Sequence, residues 1–275
     1  MEKAIYLKKF VFSILLIAGL LIWQNVAAEE LKGKQTPRGM VWIPSGELHR
    51  GSDSRQGYRI CLKNNKDCKE SWFQDEEPAH AVRLDGFYID THEVTQKQFQ
   101  SVMGDNPSDY KGPDLPVERV NWHEAAEYCK RVGKRLPTEA EWEWAARGGK
   151  RTAFPWGDEA ESGKANFCDQ QCSKRWKEKQ FDDGYRHTAP VGSFPANGYG
   201  VFDMAGNVYE WVADWYAEDY YSKSPRDNPK GPESGNRKLI RGGSWINYST
   251  GIRPADRTEA KTKARLNFVG FRCAL

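Results

Sequence analysis

The sequence has no large excess of charge of either sign. Its 41 Lys and Arg residues against 38 Asp and Glu give a formal net charge of +3. The first 28 residues contribute three lysines and one glutamate, a net +2, so about +1 remains after them. A charge this small provides no electrostatic basis for binding nucleic acid or an anionic membrane. We therefore expect no nucleic-acid partner.

Apolar stretches long enough to span a membrane are also lacking. Phe10–Trp23 covers 14 residues, whereas a transmembrane helix needs about 20. Lysines precede this stretch, and Val26-Ala27-Ala28 follows it with the small residues that signal peptidase reads. The pattern predicts a signal peptide over 1–28, a flexible segment over 29–39 and one domain over 40–275. We expect export to the periplasm or the extracellular space, with an uncleaved N-terminal anchor as the alternative, and a monomer without a stable membrane span.

Histidine is scarce, and no two histidines are four residues apart. A non-haem iron site typically needs two histidines and a carboxylate, so no compact iron motif is present. His80 and His92 flank a strand-like segment and are the pair that such a site would use first. No Ser-His-Asp order and no glycine-rich phosphate loop stand out either.

Regular structure is predicted mainly in the first half of the chain. Alternating apolar residues predict strands over Met40–Pro44 and Val82–Thr91. N-cap residues and helical spacing predict three helices, over Gln96–Met103, Trp122–Val132 and Thr138–Arg147. Gly51–Asp75 reads as a polar loop, and the alternating Glu139, Glu141 and Glu143 predict a solvated helix face. From Gly148 onward Gly, Pro and Asp dominate, which predicts long irregular loops.

Six cysteines in a chain predicted to be exported indicate disulfides, although 15 connectivities are formally possible. Cys61 and Cys68 flank a polar turn, and Cys168 and Cys172 enclose three residues, so both pairs suit local bridges. A Cys-x3-Cys metal site at 168 and 172 is the alternative, since thiolates hold copper(I) or zinc. Cys129 and Cys273 are left, and a bridge between them would close more than half of the chain.

Three motifs in the second half carry a family resemblance. Gly206–Trp211 reads GNVYEW, Arg241–Trp245 reads RGGSW and Gly270–Ala274 reads GFRCA. With further motifs in the same order from Met40 onward, they resemble the formylglycine-generating enzyme, or sulfatase-modifying factor, family. The resemblance implies a single α+β domain of C-type-lectin-like fold, with short antiparallel strands, few helices and long calcium-pinned loops. It also supports the Cys129–Cys273 pair, because a helix cysteine joined to the GFRC cysteine recurs in that family.

The cysteines that define the family's oxidases are missing. Those enzymes place one cysteine two residues after the RGGSW aromatic and another five residues further on, where this chain has Asn247 and Ile252. The two thiolates bind the copper(I) that activates oxygen, and an amide and a sec-butyl group cannot replace them. We therefore expect no catalytic residue at these positions and no redox metal bound in this way.

Two calcium sites are expected instead. Asp203 and Glu210 place two carboxylates around a glycine turn, which suits a loop that wraps a calcium ion. The resemblance implies that the carbonyls of Gly206 and Val208 complete this first site. It implies a second site from the side chains of Asn166 and Asp183 and the carbonyls of Phe167 and Tyr185. The alternative is that Asp203 and Glu210 only cap turns.

The family varies its ligand-facing surface in the segment after Trp245. Here a polar set could contact a peptide, a glycan or a small polar ligand, and a merely solvated loop is the alternative. The predicted ligand-binding residues are Trp245, Asn247, Tyr248, Arg253, Asp256 and Arg257. The sequence thus predicts an exported, calcium-stabilised binding or accessory module. The alternative is a metal-dependent oxidoreductase of the same family that acts on a thiol or on a protein or peptide side chain.

Overall fold

The computed structural model describes residues 36–63 and 65–275 of the chain. The predicted signal peptide and the first part of the 29–39 segment lie outside the described residues. Gly39–Leu275 form one compact unit, which begins one residue before the predicted domain boundary. In the described part of the chain, no helix is both long enough and apolar enough to cross a membrane.

Eight short strands form two antiparallel pairs and one four-stranded sheet within the described residues. Strands β1 (Met40–Ile43) and β4 (Phe87–Asp90) make one pair, and β2 (Gly46–Arg50) and β3 (His80–Leu84) make the other. The four-stranded sheet has the order β7-β6-β5-β8, in which β8 alone runs parallel to its neighbour. Its strands are β5 (Tyr209–Trp215), β6 (Lys238–Arg241), β7 (Thr258–Ala260) and β8 (Val269–Gly270).

The single strand expected over Val82–Thr91 is two strands in the structure. Residues Asp85 and Gly86 interrupt it, and the two halves pair with different partners. Gly86 lies so close to the Trp42 ring that a Cβ there would overlap the ring. The close approach of an aromatic side chain therefore favours glycine at the break between β3 and β4.

Four α-helices are present in the described chain: α1 (Ser54–Leu62), α2 (Gln96–Met103), α3 (Trp122–Arg131) and α4 (Glu139–Arg147). The three predicted helices are confirmed as α2, α3 and α4. Each begins with a capping box, in which the N-cap side chain and the third helical residue bond each other's backbone amides. Short 3-10 helices occupy Glu70–Glu76, Tyr220–Lys223 and Ser249–Ile252.

The prediction of a polar loop over Gly51–Asp75 is wrong, because α1 lies within it. Asp53 caps this helix by accepting a hydrogen bond from the Arg55 amide. The helix buries Gly57 and Ile60, and a Cβ at Gly57 would overlap the Phe73 ring. The helix is therefore fixed by tertiary contacts that the polar sequence did not reveal.

The core lies on both sides of the four-stranded sheet. Trp211 belongs to a cluster that includes Phe99, Tyr128 and Phe271, whereas the next residue, Val212, packs in a second cluster with Trp142 and Leu239. Successive strand residues point to opposite faces, so β5 supplies both clusters. Three disulfides are present: Cys61–Cys68, Cys129–Cys273 and Cys168–Cys172. These are the expected pairs, and Cys129–Cys273 lies in the first cluster.

The predicted solvated face on α4 is wrong for two of its three glutamates. Glu139 and Glu143 are fully buried, and their spacing of four places both on one face of the helix. Only Glu141 acts as a helix cap near the surface. The two buried carboxylates pair with Arg50, Arg241 and Arg257 from distant segments and with Arg147 at the end of the same helix. Burial raises the pKa of Glu139, but attraction by Arg257 and other arginines outweighs it and lowers the pKa to about 2.

Candidate functional site

Asn247 and Ile252, the two residues at the positions of the oxidases' cysteines, are both held by contacts within the domain. The Asn247 amide donates a 2.8 Å hydrogen bond to the Tyr209 hydroxyl and accepts one of 2.7 Å from the Ser244 hydroxyl. Ile252 is fully buried in an apolar cluster that includes Phe154 and Phe167. All six cysteines of the chain are in disulfides. No thiol is therefore left to bind copper at this place.

The RGGSW glycines bring this segment close to its neighbours. Gly243 has a φ of +68°, and a Cβ there would overlap the carbonyl oxygen of Gly251. Gly242 has a φ of +90° and lies against the Trp142 ring. Both glycines therefore permit a left-handed backbone and close packing.

The loop predicted to form the first calcium site is tightly wound. Asp203 and Asn207 have positive φ angles of 56° and 58°. Asp203 accepts a 2.6 Å hydrogen bond from the Gly192 amide through Oδ2, and its Oδ1 has no partner among the described residues. Glu210, in contrast, accepts two 2.7 Å hydrogen bonds from Arg272 and one from Trp142. Asp203 thus offers a free oxygen for a cation, whereas both oxygens of Glu210 are already bonded.

Glu93 lies beside this loop, and sequence reasoning did not identify it. Its Oε1 accepts a 3.0 Å hydrogen bond from the side-chain amide of Asn207, and its Oε2 has no partner in the described chain. Burial, followed by repulsion from Asp203, raises the pKa of Glu93 well above its ordinary value. Burial also raises the pKa of Asp203. Two buried carboxyls side by side need a shared proton or a cation. The only sequence cue was an acidic residue three positions after the end of β4.

The residues of the second expected site meet around Asn166. Asn166 is buried, its amide nitrogen donates to the His187 carbonyl at 2.8 Å, and its Oδ1 has no partner among the described residues. The Asp183 carboxylate accepts hydrogen bonds from the Phe167 amide at 2.9 Å and the Tyr185 amide at 2.8 Å. Burial raises the pKa of Asp183 to about 7. An unpaired amide oxygen and a desolvated carboxylate are donors that calcium accepts.

The two expected sites adjoin each other. The backbone N–H of Asn207 donates a 2.8 Å hydrogen bond to the backbone carbonyl of Asn166. A Cβ at Gly206 would overlap that carbonyl. The loops therefore pack directly against one another. No three of the described His, Cys, Asp and Glu side chains form a group that could hold a metal ion. His80 and His92 instead lie beside the backbone carbonyls of Pro78 and Glu93.

The predicted ligand-binding residues divide into buried and accessible ones. Trp245, Arg253 and Arg257 are buried. Arg253 donates two hydrogen bonds to Glu76, and Arg257 donates a 2.8 Å bond to Glu139. Both arginines therefore form ion pairs inside the domain and do not face a ligand. Asn247, Tyr248 and Asp256 remain half-buried. Burial raises the pKa of Asp256 to about 7.

An aromatic surface borders Asn247, and it was not identified from the sequence. We call it the Trp176 shelf, formed by Tyr110, Lys174, Trp176, His187 and the edge of Trp245. Trp176 is 41% exposed and is held by a 2.9 Å hydrogen bond to the Ile246 carbonyl. Lys174 Nζ lies 5.9 Å from the ring centroids of both Trp176 and Trp245. Tyr110 and His187 stack at 4.1 Å, and both contact Trp245 edge-on. Flanking basic residues are Arg175, Lys177, Lys179 and Arg186.

The amino-acid sequence of this chain matches a known domain family. Residues 26–275 match the sulfatase-modifying factor enzyme 1-like domain. The chain is 32% identical to the formylglycine-generating enzyme of Streptomyces coelicolor, over 87% of this chain and 90% of that protein. It is 34% identical to the serine/threonine-protein kinase pkn1 of Chlamydia caviae over 90% of this chain, but the match spans 39% of that protein's length.

A solved structure shows the same fold. The structure of Treponema denticola variable protein 1 superposes with a TM-score of 0.69 at 27% identity, and the match covers 86% of this chain and 94% of that one. The expected single α+β domain of C-type-lectin-like fold is thereby confirmed. The chain belongs to the sulfatase-modifying factor enzyme 1-like domain family.

Proposed function

We propose that this protein is a binding or accessory module of its family that does not carry out copper–thiolate oxidation. The observation that carries the proposal is the environment of Asn247 and Ile252. The first is hydrogen-bonded to Tyr209 and Ser244, and the second fills an apolar cluster. Copper(I) needs soft ligands, and every cysteine of the chain is in a disulfide.

We place the protein in the periplasm or outside the cell. Three disulfides in a chain of this size are typical of an oxidising compartment. The basic and then apolar N-terminal residues have the composition of a signal peptide. The two arguments rest on different parts of the chain.

Calcium would stabilise the loops that carry the family motifs. The second site would use the Asn166 and Asp183 side chains with the carbonyls of Phe167 and Tyr185. The first would use Asp203 with the carbonyls of Gly206 and Val208. Glu210 could join the first site only by leaving Arg272, and Glu93 supplies a nearby unpaired oxygen. The role of these ions is structural, because they would fix loops that have little regular structure.

The Trp176 shelf supports a binding role. An exposed indole beside a lysine and stacked rings offers flat apolar contact together with positive charge. Such a surface suits a peptide, a glycan or a small polar ligand that carries negative charge. The half-buried Asn247 and Tyr248 lie at its border and would add hydrogen bonds.

The experiment that tests the loss of oxidase chemistry is a copper(I) titration against a competing chelator. We expect the protein to bind no stoichiometric copper(I), and Asn247→Cys/Ile252→Cys to acquire such a site. Thermal unfolding of both proteins checks that the double variant keeps its fold. Stoichiometric copper in the unaltered protein, or oxygen uptake with a cysteine peptide, would instead support the alternative, a metal-dependent oxidoreductase related to the formylglycine-generating enzyme of Streptomyces coelicolor.

The binding role is tested by screening peptides and glycans against the protein. Trp176→Ala should abolish capture of any ligand found, because it removes the exposed ring of the shelf. Trp72→Ala is the matched control, since Trp72 is 54% exposed and lies outside the shelf. Equal losses in both variants would contradict binding at the shelf.

A further inference from the structure

A cavity of about 590 Å³ lies away from the calcium loops and the Trp176 shelf. It opens between α3, the start of α4, strand β5 and the segment around Lys230. Its volume is in the range of cavities that hold small organic ligands. None of its lining residues belongs to the sites that the family motifs predict. The cavity is therefore distinct from those sites.

The walls of the cavity are apolar. They are formed by Leu84, Trp122, Ala126, Leu136 and Ala213. Trp122 supplies a large flat surface, and its indole N–H is already bonded to the Val212 carbonyl at 2.8 Å. The wall thus has no unsatisfied indole donor, and it favours a ligand with an apolar body.

The rim of the cavity is basic. It carries Lys130, Lys134, Arg135 and Lys230, with Glu141 as its one carboxylate. Lys134 pairs with Asp90 at 2.5 Å and Arg135 with Glu141 at 2.6 Å. Lys130 and Lys230 are exposed, and neither has a carboxylate within ion-pair distance in residues 36–63 and 65–275. These two ammonium groups are available to an anion.

The wall is held in place from behind by a buried lysine. Lys238 lies between two indoles, with Nζ 4.3 Å from the Trp122 ring centroid and 3.9 Å from that of Trp215. Its ammonium group also donates a 2.6 Å hydrogen bond to the Ala213 carbonyl. Trp122 and Ala213 both line the cavity. The cavity is therefore preformed, which reduces the conformational entropy that binding would cost.

We propose that this cavity binds a small amphipathic anion. An aromatic ring or a short acyl chain would lie against Trp122 and Leu136, and a carboxylate, sulfonate or phosphate group would face Lys130 and Lys230. Apolar walls with unpaired cations at the mouth match this chemistry on both counts. A neutral apolar molecule would leave the two lysines without a partner.

The test uses 8-anilinonaphthalene-1-sulfonate as the probe, titrated by fluorescence into the full chain purified from an oxidising compartment. One saturable site is expected that Trp176→Ala leaves unchanged, because Trp176 lies outside the cavity. Lys130→Glu/Lys230→Glu should weaken the probe's affinity about tenfold, since two attractive contacts become repulsive. The control Lys66→Glu/Lys150→Glu makes the same change of net charge at exposed lysines outside the cavity and the Trp176 shelf and should leave the affinity within about twofold.

A second variant tests the apolar wall. Ala126→Phe places a ring in the cavity and should remove the probe signal, while a thermal unfolding curve shows whether the fold is kept. 1-Naphthoate should displace the probe from the unaltered protein, and 1-naphthalenemethanol should not. The proposal is overturned if the unaltered protein shows no saturable binding, if both lysine pairs have equal effects, or if the neutral alcohol competes as well as the acid.

Discussion

Arg241 donates a 3.0 Å hydrogen bond to Glu143, although 98 residues separate them and neither side chain is exposed. The first belongs to the RGGSW motif on β6, and the second lies on α4. The Arg241 guanidinium also bonds the carbonyls of Pro254 and Asp256. One buried side chain thus joins the helix, the sheet and the segment that follows Ile252.

The buried ion pairs predict a large difference between two neighbouring glutamates. Glu139→Gln should destabilise the protein by about 3 kcal/mol or more, because it leaves three buried arginines with one fewer countercharge. Glu141→Gln should cost under about 1 kcal/mol, since Gln still closes the capping box and the lost pair with Arg135 is partly exposed. Urea unfolding at pH 7 measures both. Similar losses would mean that burial of Glu139 is energetically unimportant.

The disulfides should contribute unequally to stability. Cys129–Cys273 spans 144 residues and Cys168–Cys172 spans 4. The chain-entropy relation gives about 5 kcal/mol for the long loop and about 2 kcal/mol for the short one. Replacing both cysteines of each pair by Ala and comparing urea midpoints tests this difference. A long-loop variant no less stable than the short-loop variant would refute it.

Asp214 should make stability depend on pH. Burial, with repulsion by Glu139, raises its pKa from 3.8 to about 7, against the attraction of Arg50. The folded state then binds more protons than the unfolded state between about pH 4 and 7. The stability that protonated Asp214 contributes is therefore lost as the pH rises through that window of about pH 4 to 7. The nearby Glu141 and Lys238 also face this carboxyl.

Asp214→Asn removes this titration but keeps an acceptor for the Glu139 amide, which Asp214 bonds at 2.8 Å. Relative to the unaltered protein, the variant should gain up to about 3 kcal/mol between pH 5 and pH 8. Urea unfolding at the two pH values gives the double difference. Asp219→Asn changes an exposed carboxylate and serves as the control, and an equal response in both variants would contradict the assignment to Asp214.

Calcium removal should lower the melting temperature. An ion at 100 times its dissociation constant stabilises the folded state by about 2.7 kcal/mol, which corresponds to roughly 5–10 °C for a domain of this size. A chelator such as EGTA should produce this shift, and added calcium should reverse it. A melting temperature that is unchanged by EGTA would count against both sites.

Two adjacent aspartates localise the effect to the second site. Asp183→Ala should reduce the response to EGTA, because its carboxylate lies with Asn166 at the expected site. Asp182→Ala should not, since Asp182 is exposed and bonds the side chains of Gln170 and Gln171. Identical responses in the two variants would place the ion elsewhere.

Local patterns in the sequence determined several features of this protein. Thr95, Asn121 and Thr138 mark helix starts because a cap and its partner lie within three residues of each other. Short spacing favoured the Cys61–Cys68 and Cys168–Cys172 bridges, which the structure contains. The identities of Asn247 and Ile252 showed that no cysteine stands at the two positions where the family resemblance implies copper ligands. Each of these depends on residue type and on neighbours close along the chain.

Only the tertiary structure decided which polar residues are buried. Glu139 and Glu143 look like surface residues in the sequence, and their arginine partners come from segments up to 118 residues away. Arg253 and Arg257 look like a binding surface but are neutralised inside the domain by Glu76 and Glu139. A buried charge is tolerated when its countercharge is present, and long-range packing alone brings the two together.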